Sequence, residues 1–97
     1  MEKVSYHRLA RRELNEAAQY YESESPGLGA AFLDEVERCG HALVNFSEAG
    51  PLITETIRRR LVSRFPYALL YSIKPERVRV LAVMNLKRRP MYWVGRE

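Results

Sequence analysis

The sequence predicts an α+β fold in which an N-terminal strand and a helical hairpin pack on a mainly antiparallel sheet of three to four strands. Apolar residues recur at helical spacing through the first half of the chain and alternate with period two after Pro51. The connections between the later strands are too short for parallel crossovers, so these strands must run antiparallel. With 97 residues and no repeat or long linker, residues 1–97 are predicted to form one domain.

The N-terminal half of the chain predicts the hairpin. From about Leu9, small and apolar residues lie on one helical face, and Ser25-Pro26-Gly27 ends this helix. The outer face carries charged residues: Arg11, Arg12, Glu13 and Glu16. A second helix ends near Gly50-Pro51, and the short connection makes the pair antiparallel. Its apolar stripe comprises Leu28, Phe32, Val36, Cys39, Leu43 and Phe46.

Strands are predicted where the apolar period changes to two. A short alternating stretch at Val4 and Tyr6 predicts an N-terminal strand, and three more are expected at residues 57–62, 67–73 and 78–85. The last strand is apolar on both faces, whereas the helices cover only one. Either the tail from Leu86 to Val94 or a partner must therefore cover the second face.

Charge is divided unevenly along the chain, whose net charge is +4. Residues 1–57 carry five Lys/Arg and ten Asp/Glu, a net charge of −5, whereas residues 58–97 carry eleven Lys/Arg and two Asp/Glu, a net charge of +9. The basic part suits an anionic partner. No apolar run of about 18 residues and no signal peptide is present, which predicts a cytoplasmic protein without a membrane partner.

Cysteine and histidine are too scarce to suggest metal or redox chemistry. Cys39 is the single cysteine, so no internal disulfide can form, and His7 and His41 are the only histidines. We therefore expect no metal site and no cofactor.

Arginines and aromatics in the basic part predict a target-binding or nucleic-acid-binding surface. Clustered guanidinium groups hold phosphates, and the nearby aromatics, Tyr67, Tyr71, Tyr92 and Trp93, are of the kind that stacks on single-stranded bases. The alternative is a solvated basic face, with the C-terminal aromatics packed on the sheet. The candidate binding residues are Arg58, Arg60, Arg64, Lys87, Arg88, Arg89, Tyr92 and Trp93.

Several residue strings, in this order and spacing, resemble the RelE/ParE superfamily of toxins from bacterial type II toxin–antitoxin (plasmid stabilisation) systems. These strings come after a predicted helical hairpin and an Arg-rich strand. Together with those elements, they make the resemblance cover nearly the whole chain. The strings are Phe65-Pro66-Tyr67, Leu70-Tyr71, Val78-Arg79-Val80-Leu81-Ala82-Val83 and Arg88-Arg89-Pro90-Met91-Tyr92-Trp93.

The resemblance implies a growth inhibitor neutralised by a cognate antitoxin in a hetero-oligomer. An antitoxin segment laid on the toxin would also account for the second apolar sheet face. ParE-like members poison DNA gyrase without nuclease chemistry, whereas RelE-like members enter the ribosome and cut mRNA. Gyrase and the ribosome with its mRNA are thus the two expected targets.

Metal-free RNA cleavage requires an acid, a base and cations that stabilise the phosphorane. Relatives with the Arg-x-Pro-x-Tyr-Trp ending commonly have a histidine where this chain has Asn85, which cannot exchange a proton near neutral pH. Tyr92, or less plausibly Tyr71, would have to replace it, with Glu55 as the nearby base. A ribonuclease of this kind would use Arg60, Arg64, Arg79 and Arg88 with Tyr92.

Three functions thus remain open at this point. Asn85 favours a non-enzymatic gyrase inhibitor over a ribosome-dependent endoribonuclease. The third alternative is a non-toxic domain of the same fold that binds nucleic acid or another partner.

Overall fold

The structure, a computed structural model, describes residues 3–89 and 91–97. Its elements in chain order are β1 (Lys3–Tyr6), α1 (Arg8–Glu24), α2 (Leu28–Asn45), β2 (Ile57–Leu61), β3 (Tyr67–Lys74) and β4 (Arg77–Asn85). The strands form one sheet in the order β1-β4-β3-β2, in which β2, β3 and β4 are antiparallel neighbours and β1 runs parallel to β4. The predicted α+β fold and its N-terminal strand are confirmed.

His7 caps the N-terminus of helix α1, where the first backbone amides have no carbonyl acceptor within the helix. The His7 Nδ1 atom accepts a hydrogen bond from the Leu9 amide at 3.0 Å, which satisfies one of the free amides of the first turn. The buried face of the helix is the one that the sequence predicts. It carries Ala10, Leu14, Ala17 and Ala18.

Helix α2 ends at Asn45, before the predicted end near Gly50-Pro51. Phe46 leaves helical geometry with φ −138° and ψ 56°, so its side chain falls off the apolar stripe and is 64% exposed. The chain then turns through residues 46–50. The prediction was wrong here because Gly50-Pro51 lies within the loop of residues 46–56 and does not mark the last helical turn.

The turn at residues 46–50 is fixed by two side chains of the sheet. The Tyr71 hydroxyl donates a 2.7 Å hydrogen bond to the Ser47 carbonyl. The Arg58 guanidinium donates to the carbonyls of Gly50 at 2.7 Å and Glu48 at 3.0 Å. Since this guanidinium is held by two backbone acceptors, Arg58 supports the fold.

The main core lies between the helices and one face of the sheet. It includes Phe32 and Val36 of α2 together with Leu69, Tyr71 and Val80 of the sheet, all at most 1% exposed. A register shift between Leu70 and Tyr71 gives β4 one extra residue, Leu81. Because of this bulge, Val80 and Val83 both face the main core although they are three residues apart, while Ala82 faces the other side.

The chain's own tail covers the second face. Trp93 is 2% exposed and packs with Leu70 and Ala82, and partly buried Ile57 and Met84 border this cluster. The sequence analysis left two alternatives for covering this face, the tail or a partner, and in the structure the tail covers it. An antitoxin is therefore not needed to bury this part of the sheet.

Candidate target-binding surface

Two loops meet at one end of the sheet, and we call residues 62–66 and 86–89 the loop end. The Leu86 amide donates a 2.9 Å hydrogen bond to the Pro66 carbonyl, which joins the two loops. Asn85 fixes the second loop, because its Oδ1 accepts from the Lys87 amide at 2.8 Å and its carbonyl accepts from the Arg88 amide at 2.9 Å. The structure thus gives Asn85 a backbone-capping role.

The loop end is basic and exposed. It carries Arg64, Lys87, Arg88 and Arg89 and no Asp or Glu. The Arg64 guanidinium lies 3.4 Å from the carboxylate of Glu35 on α2, but 64% of its side chain stays in solvent. The Glu35 side chain is itself only 7% exposed, so this contact anchors one side of the guanidinium while most of the Arg64 side chain stays open to a partner.

Exposed aliphatic side chains accompany these cations. Leu86 is 44% exposed, and Met91, at the start of the tail, is 50% exposed. Arginine and methionine are enriched in protein–protein interfaces. The loop end thus has the composition of a protein-binding surface.

The other predicted arginines lie elsewhere. Arg58 is held by the loop at residues 46–50, and Arg60 lines a groove between α2 and β2 with Cys39. Arg79 belongs to the opposite half of the sheet, where it donates to the Ser5 hydroxyl and to the Glu97 carbonyl, each at 3.3 Å. Of the five proposed catalytic residues, only Arg64, Arg88 and Tyr92 lie at or beside the loop end.

The aromatics expected to stack on bases are mostly inside the protein. Trp93 is 2% exposed, Tyr67 is 9% exposed and Tyr71 is fully buried. Tyr92 is half-buried between two guanidinium groups, with Arg88 4.2 Å and Arg96 5.2 Å from its ring centroid. These four residues do not offer an exposed stacking platform for single-stranded bases.

The hydroxyl of Tyr92 points inward. It is buried and has no hydrogen-bond partner among the described residues. Burial first, and then the nearby Glu13 carboxylate, raise the pKa of this phenol far above its ordinary value. Both oxygens of Glu13 are already engaged by Arg96, and one also accepts from the Val83 amide. The Tyr92 hydroxyl is thus poorly placed to exchange a proton with a bound substrate.

The side chain of Glu13 contradicts the prediction that it lies on the outer face of α1. It is 14% exposed and forms a two-bond ion pair with Arg96, with N···O distances of 3.0 and 3.1 Å. Helical periodicity could not reveal this pair, because Arg96 lies 83 residues away and no motif links the two positions. Neither residue was among the predicted site residues.

A small cleft beside Arg88 carries acidic groups. It is lined by Arg88 and Asn85 and also by Glu13 and Glu16 of α1. These carboxylates already have cationic partners, since Glu13 pairs with Arg96 and Glu16 pairs with Arg12. Glu55, the predicted base, is exposed in the loop before β2, at the opposite end of the sheet from Arg88.

Residues 3–89 and 91–97 contain neither a metal-binding cluster nor a membrane-spanning helix. No group of three or more His, Cys, Asp or Glu side chains is placed to hold a metal ion there. Neither helix within these ranges is long and apolar enough to cross a membrane.

Comparisons with known proteins agree with this architecture. No curated protein matches the sequence. The fold is similar to a solved structure described as the chromosomal ParDE toxin–antitoxin system from P. aeruginosa, with a TM-score of 0.75 and 18% sequence identity over 88% of this chain and 96% of that chain. A family model described as the ParE toxin of the type II toxin–antitoxin system parDE matches residues 4–90. The chain therefore belongs to the ParE toxin family of type II toxin–antitoxin systems.

Proposed function

We propose that this toxin inhibits DNA gyrase by binding it through the loop end, without cutting nucleic acid. The observation that carries the proposal is the burial of the Tyr92 hydroxyl, which removes the best remaining proton donor from solvent. With asparagine at position 85, the loop end carries cations but no histidine or carboxylate for general acid–base catalysis.

The composition of the loop end supports a protein target over RNA. Its guanidinium groups stand beside exposed Leu86 and Met91, whereas Trp93 is buried in the tail cluster. An RNA-binding surface normally places exposed aromatics next to arginine, and a protein interface combines arginine with aliphatic side chains. The ribosome-dependent endoribonuclease is therefore the less favoured function.

A cognate antitoxin is the partner implied by the family. We propose that it neutralises the toxin by covering the loop end, where Lys87, Arg88 and Arg89 attract an acidic segment. Toxin and antitoxin would then form a hetero-oligomer in the cytoplasm. Growth inhibition by the toxin alone, relieved by co-expression of the adjacent reading frame, is the result expected from this pairing.

The experiment compares two charge reversals of equal size. Lys87→Glu with Arg89→Glu alters the loop end, and Lys74→Glu with Arg77→Glu alters the opposite end of the sheet. All four side chains are exposed, so both double variants should fold. We expect only the loop-end variant to lose inhibition of DNA supercoiling by purified gyrase.

The timing of arrest in cells separates the two targets. Inhibition of gyrase should stop replication first, and messenger RNA should remain intact during the first minutes of toxin expression. Cleaved transcripts with unaffected supercoiling would contradict the proposal. Equal loss of inhibition in both double variants would show that overall charge acts instead of the loop end.

A further inference from the structure

The strand β1 leaves part of its neighbour without a strand partner. It pairs with β4 only along Arg77 to Val80, and the His7 amide adds one more bond to the Val80 carbonyl at 2.8 Å. β4 continues to Asn85, so its backbone groups on this side need other partners after Val80.

Two side chains supply these partners. The Val83 amide donates to Glu13 Oε1 at 3.0 Å, and Arg96 donates to the Leu81 carbonyl at 3.0 Å. Arg96 and Glu13 are themselves joined by two hydrogen bonds. One residue of α1 and one residue of the tail thus continue the hydrogen bonding of the sheet where β1 stops.

The ion pair is shielded from solvent. The side chains of Arg96 and Glu13 are 12% and 14% exposed, in contrast to the exposed pair of Arg12 and Glu16 on the same helix, at 70% and 64%. Removing one partner of a shielded pair leaves an uncompensated charge, which is far more costly than losing an exposed pair. The tail therefore depends on Glu13 for its position.

The tail also packs on a cluster separate from the main core. Trp93, Leu70 and Ala82 form this cluster, and the residues between the helices and the sheet form another. Because the two clusters share no side chain, we expect the tail to be able to leave the sheet while the helices stay packed on it.

We propose that Glu13 and Arg96 form a latch that holds residues 91–97 on the second face of the sheet, with Glu13 as the positioning residue. When the latch is broken, the tail leaves as a unit and Trp93 enters solvent. The loop end then loses its fixed position relative to Met91 and Tyr92. This last consequence for toxicity rests on the proposed function, whereas the docking of the tail does not.

Trp93 makes the proposal directly testable, because it is the only tryptophan in the chain. In Glu13→Gln we expect a red shift of its fluorescence and a several-fold increase in its quenching by acrylamide. The Val83 amide should exchange with solvent about tenfold faster or more. Glu16→Gln is the matched control, since it removes a carboxylate one turn away and should leave all three measurements unchanged.

A second variant separates the latch from general damage to the fold. Arg96→Gln leaves Glu13 and its bond to the Val83 amide in place, and it should expose Trp93 to the same extent with an unchanged far-ultraviolet circular dichroism spectrum. In the double variant Glu13→Gln with Arg96→Gln, exposure should rise no further than in either single variant. Buried Trp93 in Arg96→Gln would overturn the proposal, even if Glu13→Gln fails to fold.

Inhibition of gyrase by the same variants tests whether the position of the tail affects toxicity. Loss of inhibition in Arg96→Gln together with exposed Trp93 supports the link from tail position to toxicity. If Trp93 is exposed but inhibition of gyrase is complete, the role of Glu13 and Arg96 in holding the tail is still supported. Only the proposed effect of tail position on toxicity is then contradicted.

Discussion

The guanidinium of Arg88 lies 4.2 Å from the ring centroid of Tyr92, while the hydroxyl of the same ring is buried without a hydrogen-bond partner among the described residues. The ring face thus interacts with a cation, and the polar tip contributes little. This arrangement is the reverse of what an acid catalyst needs, because the reactive group is the part withheld from solvent.

Tyr92→Phe tests that arrangement. It removes an unsatisfied buried hydroxyl and keeps the ring against Arg88, so the free energy of unfolding should stay the same or rise by up to about 1 kcal/mol. Inhibition of gyrase should be unchanged. Urea denaturation and a supercoiling assay check the two results, with Tyr92→Ala as the variant that also loses the ring. A Tyr92→Phe protein that keeps its stability but loses toxicity would restore a chemical role for the phenol.

Arg58→Gln should lower stability, although the sequence suggests a binding role for this residue. The guanidinium donates to the carbonyls of Glu48 and Gly50, so its removal leaves two acceptors of the loop with weaker partners. We expect a loss of about 1–3 kcal/mol in the free energy of unfolding, measured in urea. Arg59→Gln is the control, because this exposed neighbour lies on the other face of β2 and should change stability little. Equal effects of the two substitutions would argue against the loop contacts.

Gly50 and Gly40 should respond in opposite ways to alanine. A Cβ atom at Gly50 would lie 2.5 Å from the Arg59 carbonyl oxygen and 2.6 Å from the Tyr71 hydroxyl, which is too close for either group. We therefore expect Gly50→Ala to cost about 1–3 kcal/mol and to disturb the hydrogen bond from Tyr71 to Ser47.

At Gly40 of α2, the nearest atoms would lie 3.8 and 4.0 Å away, an ordinary contact distance. Gly40→Ala should be neutral or stabilising by up to about 1 kcal/mol, because alanine favours the helix. Thermal denaturation of both variants makes the comparison, and a neutral Gly50→Ala would show that the loop moves aside easily.

His7 should make the fold sensitive to mild acid. Desolvation by burial first, and then nearby arginines led by Arg96, lower the pKa of His7 below the ordinary 6.5. As the pH falls below 6.5, the unfolded chain takes up a proton that the folded chain still excludes, so stability decreases. Protonation of Nδ1 also removes the acceptor that caps the Leu9 amide.

The measurement is the free energy of unfolding of the wild-type protein and of a His7 variant between pH 7.5 and pH 5. The difference between the two proteins is the contribution of His7. His7→Asn keeps a capping oxygen and does not titrate, so part of the decrease should disappear. An identical pH dependence in both proteins would assign the acid sensitivity to other groups.

The sequence predicted those parts of the fold that depend on local periodicity. The buried faces of α1 and α2 follow from spacing, as Leu14, Phe32, Val36 and Leu43 illustrate, and the short loops correctly predicted the antiparallel strands. The end of α2 was predicted too late because Phe46 continues the apolar spacing after the helical backbone has stopped. The spacing of apolar residues alone does not show where the backbone leaves helical geometry.

The candidate site was less predictable because its contacts join distant parts of the chain. Alternation along a strand puts Arg58 and Arg59 on opposite faces of β2, but it cannot show that Arg58 binds the carbonyls of a loop. The pairing of Glu13 with Arg96 likewise depends on the path of the tail across the sheet. Such contacts become visible only when the topology is known.

The parallel pairing of β1 with β4 has a consequence for synthesis of the toxin. Tyr6 lies opposite Val80, so the first strand must wait for 74 more residues before its partner exists. At a typical elongation rate this delay is roughly 4 to 15 seconds, during which a nascent chain has an incomplete sheet. The strand that is made first therefore takes its place in the sheet last, once β4 has been synthesised.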